Sequence, residues 1–161
     1  MLPVTIYTDG SALGNPGKGG FGVVLLANMD CPDPQRRFRR EIAQGFRMTT
    51  NNRMELMAAA VALEALKFDG TVVHLITDSK YVCEAVNQGW VFAWEKKNFH
   101  QRRNADLWRR FLTVYRRHRV TMIWVKGHNG NVENERCDRL AVAAANGSQL
   151  QEDVGYLQEI Q

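Results

Sequence analysis

Apolar residues in the first third of the chain fall in short runs divided by turn residues. Val4 to Thr8 reads as a buried strand that stops at Asp9-Gly10. Gly14 to Gly20 is a Gly/Pro/Asn turn, and Phe21 to Leu26 is strand-like again. Arg36 to Met48 supplies a third strand, with Phe38 and Ile42 on one face and arginines flanking them. Short strands in this succession predict an antiparallel meander.

The period then changes. From Asn52 onward, Leu56, Ala59, Ala60, Leu63 and Leu66 recur at helical spacing, and Asp69-Gly70 closes the segment. Val72 to Ile76, apolar but for His74, reads as a central strand buried on both faces. Ser79 is a favoured N-cap for a second helix through Val86. Trp90 to Arg103 mixes aromatic and basic residues and reads as a short helix and loop. Leu107, Phe111, Val114 and Tyr115 mark a further helix, Val120 to Val125 a last strand, and Val132 to Ala145 a final helix. Its apolar stripe is Cys137, Leu140, Ala141 and Ala144. Gly147 ends it, leaving a polar tail over 147–161 that is expected to be less ordered. The pattern predicts one α/β domain over residues 1–161, its core about 4–146, built as a mixed sheet with helices packed on it.

Composition narrows the class without choosing a function. A chain of 161 residues, 45% apolar and 24% charged, is an ordinary globular domain with enough length for a core. No apolar run approaches the ~20 residues that span a bilayer, so no membrane association is expected. Met1-Leu2-Pro3 leads straight into strand-like sequence without the pattern of a signal peptide. Cys31, Cys83 and Cys137 are odd in number and unpaired in spacing, which suits reduced thiols in the cytoplasm and no zinc site. With no heptad or large apolar surface stripe, a monomer is expected.

The formal net charge is +4 and the sequence pI about 9.1, a mild bias toward a polyanionic partner. Arg36, Arg37, Arg39 and Arg40 cluster early, and Lys96, Lys97, Arg102, Arg103, Arg109, Arg110, Arg116, Arg117 and Arg119 crowd a later stretch. Each cluster reads equally well as a solvated face or as a nucleic-acid surface.

Four acids carry the candidate chemistry. Asp9 and Asp78 each follow an apolar strand, in Ile6-Tyr7-Thr8-Asp9 and Leu75-Ile76-Thr77-Asp78. Carboxyl ends of strands are where ligand sites form in α/β sheets. Two such strands, adjacent and parallel, would set two carboxylates side by side, which invites a cation. Glu55 is near the start of the first long helix, with Asn51 and Asn52 on its face, and Asp138 is at the edge of the last helix's buried stripe. Each acid alone reads as a turn, a cap or a solvated helix position. Together they offer the hard oxygen ligands that Mg²⁺ or Mn²⁺ prefers.

Six stretches in order give that site a family. Tyr7-Thr8-Asp9-Gly10-Ser11, Gly14-Asn15-Pro16-Gly17, Thr50-Asn51-Asn52-Arg53-Met54-Glu55-Leu56, Thr77-Asp78-Ser79, Trp124-Val125-Lys126-Gly127-His128 and Asn134-Glu135-Arg136-Cys137-Asp138 closely resemble bacterial type 1 ribonuclease H. The resemblance runs from about Val4 to Ala145. It implies a five-stranded mixed sheet, three antiparallel strands followed by a parallel βαβ unit, flanked by helices. It implies an endonuclease that hydrolyses the RNA strand of RNA–DNA hybrids, leaving 3′-hydroxyl and 5′-phosphate ends, with two Mg²⁺ ions (Mn²⁺ as substitute).

By the same resemblance Asp9, Glu55, Asp78 and Asp138 are the catalytic, metal-binding acids, and His128 assists water activation or product release. Thr50 and Asn51 would grip a DNA-strand phosphate, and Asn15 and Asn52 would read the hybrid near the cut. Trp90, Trp94, Lys96, Lys97, Arg102 and Arg103 fit the family's basic protrusion, shorter here and interrupted by Glu95. Lys80 stands where many relatives carry glutamine. The competing classes are a non-catalytic hybrid-binding module, disfavoured because all four acids are present, and a strand-transferring relative, disfavoured by the intact asparagine motifs.

Overall fold

A computed structural model describes residues 3–161; the reading of Met1-Leu2 as a start without a leader lies outside the described residues. Strands β1 (Val4–Leu13), β2 (Gly17–Ala27) and β3 (Phe38–Thr49) form the antiparallel meander. Strand β4 (Val72–Thr77) runs parallel to β1, and β5 (Arg119–Trp124) parallel to β4. A short β6 (Leu150–Gln151) pairs in parallel with β3. The sheet order is β5-β4-β1-β2-β3-β6. The sheet therefore has six strands rather than the five expected. The helices are α1 (Asn51–Glu64), α2 (Lys80–Asn87), α3 (Trp90–Lys96), α4 (Ala105–Tyr115), α5 (Val132–Ala145) and α6 (Val154–Glu159).

Two glycines show how the helices cover the sheet. A Cβ on Gly10 would strike the Met54 and Glu55 backbone of α1, and one on Gly22 would strike the Cys137 carbonyl of α5. Gly10 and Gly22 sit one register step apart, so their side-chain directions are opposite and α1 and α5 lie on opposite faces. This close approach also corrects the expected turn over 14–20. Gly17, Gly19, Gly20 and Gly22 belong to β2, where the bare backbone at Gly20 and Gly22 admits α5, and only three residues separate β1 from β2.

The apolar stripe expected for α1 turns out wider. Met54, Leu56, Met57, Ala58, Ala59, Ala60, Ala62 and Leu63 are all buried, because α4 packs over the helix face turned away from the sheet. Trp108 of α4, fully buried, donates its indole N–H to the Tyr81 hydroxyl at 2.8 Å; truncation of such a side chain costs about 3–5 kcal/mol. No helix among the described residues is long and apolar enough to cross a membrane.

The segment read as a polar tail carries β6 and α6. Asp153, its buried anchor, caps α6 and accepts from Arg53 and Thr49. Order there comes from charge pairing across the chain, which hydropathy does not register.

Candidate active site

The parallel ladder between β1 and β4 ends at Thr8↔Thr77, one residue before Asp9 and Asp78. The strands thus carry the two acids to one level, as expected. They do so differently, however: β4 stops before Asp78, while β1 continues through Asp9 to Leu13, paired with β2. Asp9 is consequently held in regular strand backbone and is 5% exposed.

Glu55 arrives from the other side. Thr50 caps α1 by accepting from Arg53 N–H at 3.2 Å, which starts the helix where Gly10 permits contact with β1. The Gly10 N–H donates both to Asp9 Oδ1, at 2.9 Å, and to Glu55 Oε1. Carboxylate oxygens of Asp9, Glu55 and Asp78 all lie within 4.8 Å of one another. Asp138, on α5, lines the same cavity of about 480 Å³ but stands outside that tight group.

Crowding and burial act together on these acids. Burial raises the Asp9 carboxyl far above the usual carboxylate range, helped by the charges of Asp78 and Asp138 and opposed by hydrogen bonds with Glu55 and Gly10. Burial likewise raises Glu55, with the Asp9 charge next in weight. Such a group holds protons or takes up a multivalent cation. Its donors are all carboxylate oxygens, with no thiol or imidazole in the cluster, so the set fits a hard ion such as Mg²⁺ or Mn²⁺.

The asparagines form one wall. Asn15 Oδ1 accepts from Asn51 N–H at 3.1 Å, and Asn51 Oδ1 accepts from Ala12 N–H at 2.5 Å. Their acceptors are thereby spent on the fold, and their NH₂ groups have no partner among the described residues. Asn51 and Asn52 are exposed on the cavity wall; Asn15 braces Asn51 from outside it. His128 lines the same cavity and is exposed, at φ 56° in the 127–130 loop.

Two contributors were not singled out from sequence. Asn134, 3% exposed, points Nδ2 at Asp78 Oδ2 from 3.5 Å. It lies four residues before Asp138, a spacing that puts both on one helix face and was available as a signal. Trp124 donates its indole N–H to the Asp78 carbonyl at 3.0 Å.

The basic residues divide. Arg39 pairs with Glu41 and Glu133, and Arg136 with Glu41, so the early cluster helps tie β3 to α5. In the later stretch Arg110 pairs with Glu64, Arg116 with Glu95 and Arg117 with Asp69. Lys96, Lys97, Arg102 and Arg103 are exposed and have no ion pair among the described residues. Trp94 sets its ring on the edge of Trp108, with centroids 6.0 Å apart, and Arg102 lies 4.7 Å over the Trp94 ring. Trp90 is 46% exposed. This surface is separate from the acid-lined cavity: Trp94, Lys97 and Arg102 line a cleft of their own.

Comparison with known proteins is consistent along the chain. The family model described as RNase H matches residues 2–146. The chain is 44% identical over 158 residues to Ribonuclease H of Trichodesmium erythraeum, covering 95% of each. It is 47% identical over 161 residues to Ribonuclease H of Aeromonas hydrophila, covering 97% of this chain and 98% of the relative. Among solved structures, LC9-RNase H1, described as a type 1 RNase H with the type 2 active-site motif, aligns with a TM-score of 0.78 at 30% identity. That alignment covers 98% of this chain and 81% of the other.

Proposed function

The chain belongs to the RNase H family, and on that premise we propose that it hydrolyses the RNA strand of RNA–DNA hybrids with two bound Mg²⁺ ions. The observation that carries the reading is the meeting of Asp9, Glu55 and Asp78 carboxylates within 4.8 Å in an open cavity walled by Asn51 and Asn52.

Asp9, Glu55 and Asp78 would hold the ions through their clustered carboxylates, with Asp138 as a further ligand from across the same cavity. When bound, the ions supply Lewis acidity at the phosphate, activating the attacking water and neutralising the departing 3′ oxygen. The Gly10 N–H and the Asn134 amide fix the orientation of the acids before substrate arrives. Asn52 offers its amide to the cavity and reads the hybrid near the cut, where a 2′-hydroxyl distinguishes RNA from DNA. Thr50 and Asn51 hold a DNA-strand phosphate, and Asn15, through its bond to Asn51, keeps that turn in place. His128 exchanges protons with solvent at the cavity mouth. The products are 3′-hydroxyl and 5′-phosphate ends.

The test is a cleavage assay on end-labelled RNA–DNA hybrid, double-stranded RNA and double-stranded DNA, with Mg²⁺ and with EDTA. Metal-dependent cutting of the hybrid's RNA alone is expected. Equal cutting of all three duplexes, or cutting in EDTA, overturns the reading.

A further inference from the structure

One cation on the rim of the acid-lined cavity is unaccounted for by this chemistry. Lys80 is the first residue of α2, is exposed, and lines the cavity beside Asp78. An ammonium beside a carboxylate cluster would ordinarily pair with it. Lys80 has no carboxylate within 4.0 Å among the described residues; its Nζ instead sits 5.1 Å from the centroid of the Trp124 ring.

Trp124 is itself fixed. It ends β5 opposite Thr77, and its indole N–H is committed to the Asp78 carbonyl at 3.0 Å. Ser79 and Thr77 hold the intervening turn: Thr77 Oγ1 accepts from Ser79 N–H at 3.0 Å, and Ser79 Oγ from Val82 N–H at 3.2 Å. The ring face and the start of α2 are therefore rigid relative to Asp78. Attraction to a ring face orients an ammonium without consuming its hydrogen-bond donors, since the aromatic quadrupole acts on the charge.

We propose that Lys80, seated on Trp124, is a phosphate contact for the strand being cut, gripping a phosphate next to the scissile one. The assignment rests on the hybrid-cleaving reading above. If the acids face the scissile phosphate, the strand that carries it runs along the same rim. A lysine there is a point charge with three donors, suited to a phosphate oxygen and unable to ligate a metal. The contact adds affinity for the cleaved strand at the cut itself, apart from the surface around Trp94.

The experiment measures hybrid binding in EDTA, where no cleavage occurs, over a range of KCl concentrations. Lys80→Gln is expected to weaken binding about three- to tenfold and to lower the salt slope by roughly 0.7–0.9. Lys80→Arg keeps both near the wild-type values. A single uncharged methylphosphonate beside the cut on the RNA strand weakens wild-type binding but not that of Lys80→Gln; on the DNA strand it weakens both alike. Trp124→Leu, if folded, approaches Lys80→Gln, and combining the two adds little. Wild-type affinity and slope in Lys80→Gln overturn the proposal, as does a change confined to Mg²⁺ affinity, which would make Lys80 a counter-charge for the acids. A wild-type protein that fails to cut hybrid in Mg²⁺ sinks the functional reading; one that cuts while Lys80→Gln binds normally sinks only the lysine contact.

Discussion

Arg53, 1% exposed, donates from Nε to Asp153 Oδ2 at 2.7 Å and from Nη2 to Asp153 Oδ1 at 2.9 Å. The pair joins the third residue of α1 to the N-cap of α6, a hundred residues later in the chain. The same guanidinium reaches Asp106 at 2.8 and 2.9 Å, and Thr49 Oγ1 donates to Asp153 at 2.7 Å. Arg53 lies between Asn52 and Glu55, so the helix turn that faces the cavity is anchored from behind by the carboxyl-terminal segment.

Removing one partner of a buried pair strands the other charge, which costs about 3–5 kcal/mol. Asp153→Asn is therefore expected to lower unfolding stability by that order. Asp106→Asn, whose side chain is 46% exposed, should cost at most about 1 kcal/mol because water screens it. Urea titrations of both variants decide the matter, and equal midpoints would contradict the ranking.

Arg53 also shows why part of the molecule was legible in the sequence and part was not. The succession of strands and helices follows from hydrophobic period, a local signal, whereas the arrangement of strands in the sheet is implied by the family resemblance; the acids come together because β1 and β4 end their pairing at one level. Arg53 and Asp153 are polar residues that look solvent-facing singly, and only their meeting removes them from water, while Asp106 braces the guanidinium from the solvent side. The glycines at 17–20 read as a turn for a related reason: a glycine read locally means a turn, while Gly20, like Gly22 beyond it, admits α5. Asp138 is legible in the sequence as a candidate ligand, but its place outside the tight group is set by how α5 packs on the sheet.

Asp9→Asn separates the electrostatic burden of the site from its function. The folded Asp9 carboxyl titrates well above an ordinary carboxylate, because burial disfavours its charge. Stability from this group is thus full below the ordinary carboxylate value and is lost as pH rises toward the raised one. At pH 7 without metal, Asp9→Asn should gain on the order of 1–3 kcal/mol, since a tenfold change in proton affinity between the folded and unfolded chain is worth about 1.4 kcal/mol. Mg²⁺ should raise the wild-type melting temperature and leave the variant nearly unchanged, with cleavage lost. Thermal melts in EDTA and Mg²⁺ test this, and substantial hybrid cleavage by the folded variant rejects the mechanism.

His128→Ala is expected to slow turnover without abolishing it. The side chain is exposed at the cavity mouth, outside the acid cluster, so its loss leaves the ligand set intact. General acid–base help of this kind contributes about 10²–10⁴-fold when fully engaged. A loop group in contact with water, which can replace it, should sit at or below the lower end. Steady-state kinetics with Mg²⁺ check the prediction: kcat should fall while KM holds, and an unchanged rate removes the assignment.

The surface around Trp94 should govern affinity rather than chemistry. Glu95, which breaks the positive run in sequence, is paired with Arg116 and so subtracts little from the charge that a polyanion meets. Lys96, Lys97, Arg102 and Arg103 remain without ion pairs among the described residues, and Arg102 is braced on a ring that is itself set against Trp108. Changing all four to glutamine should lower the salt slope of hybrid binding by up to about 3, if each cation meets one phosphate. KM should then rise less steeply with ionic strength than in the wild type, while kcat at saturation stays within about twofold, since uniform binding is what is lost. Trp94→Ala should weaken binding and also destabilise the fold, because the ring is packed against the core; Trp90→Ala, exposed at 46%, should affect binding alone. Fluorescence anisotropy at several KCl concentrations, with urea melts of the two tryptophan variants, separates the contributions. A quadruple variant with an unaltered salt slope would place the hybrid's contacts elsewhere on the protein.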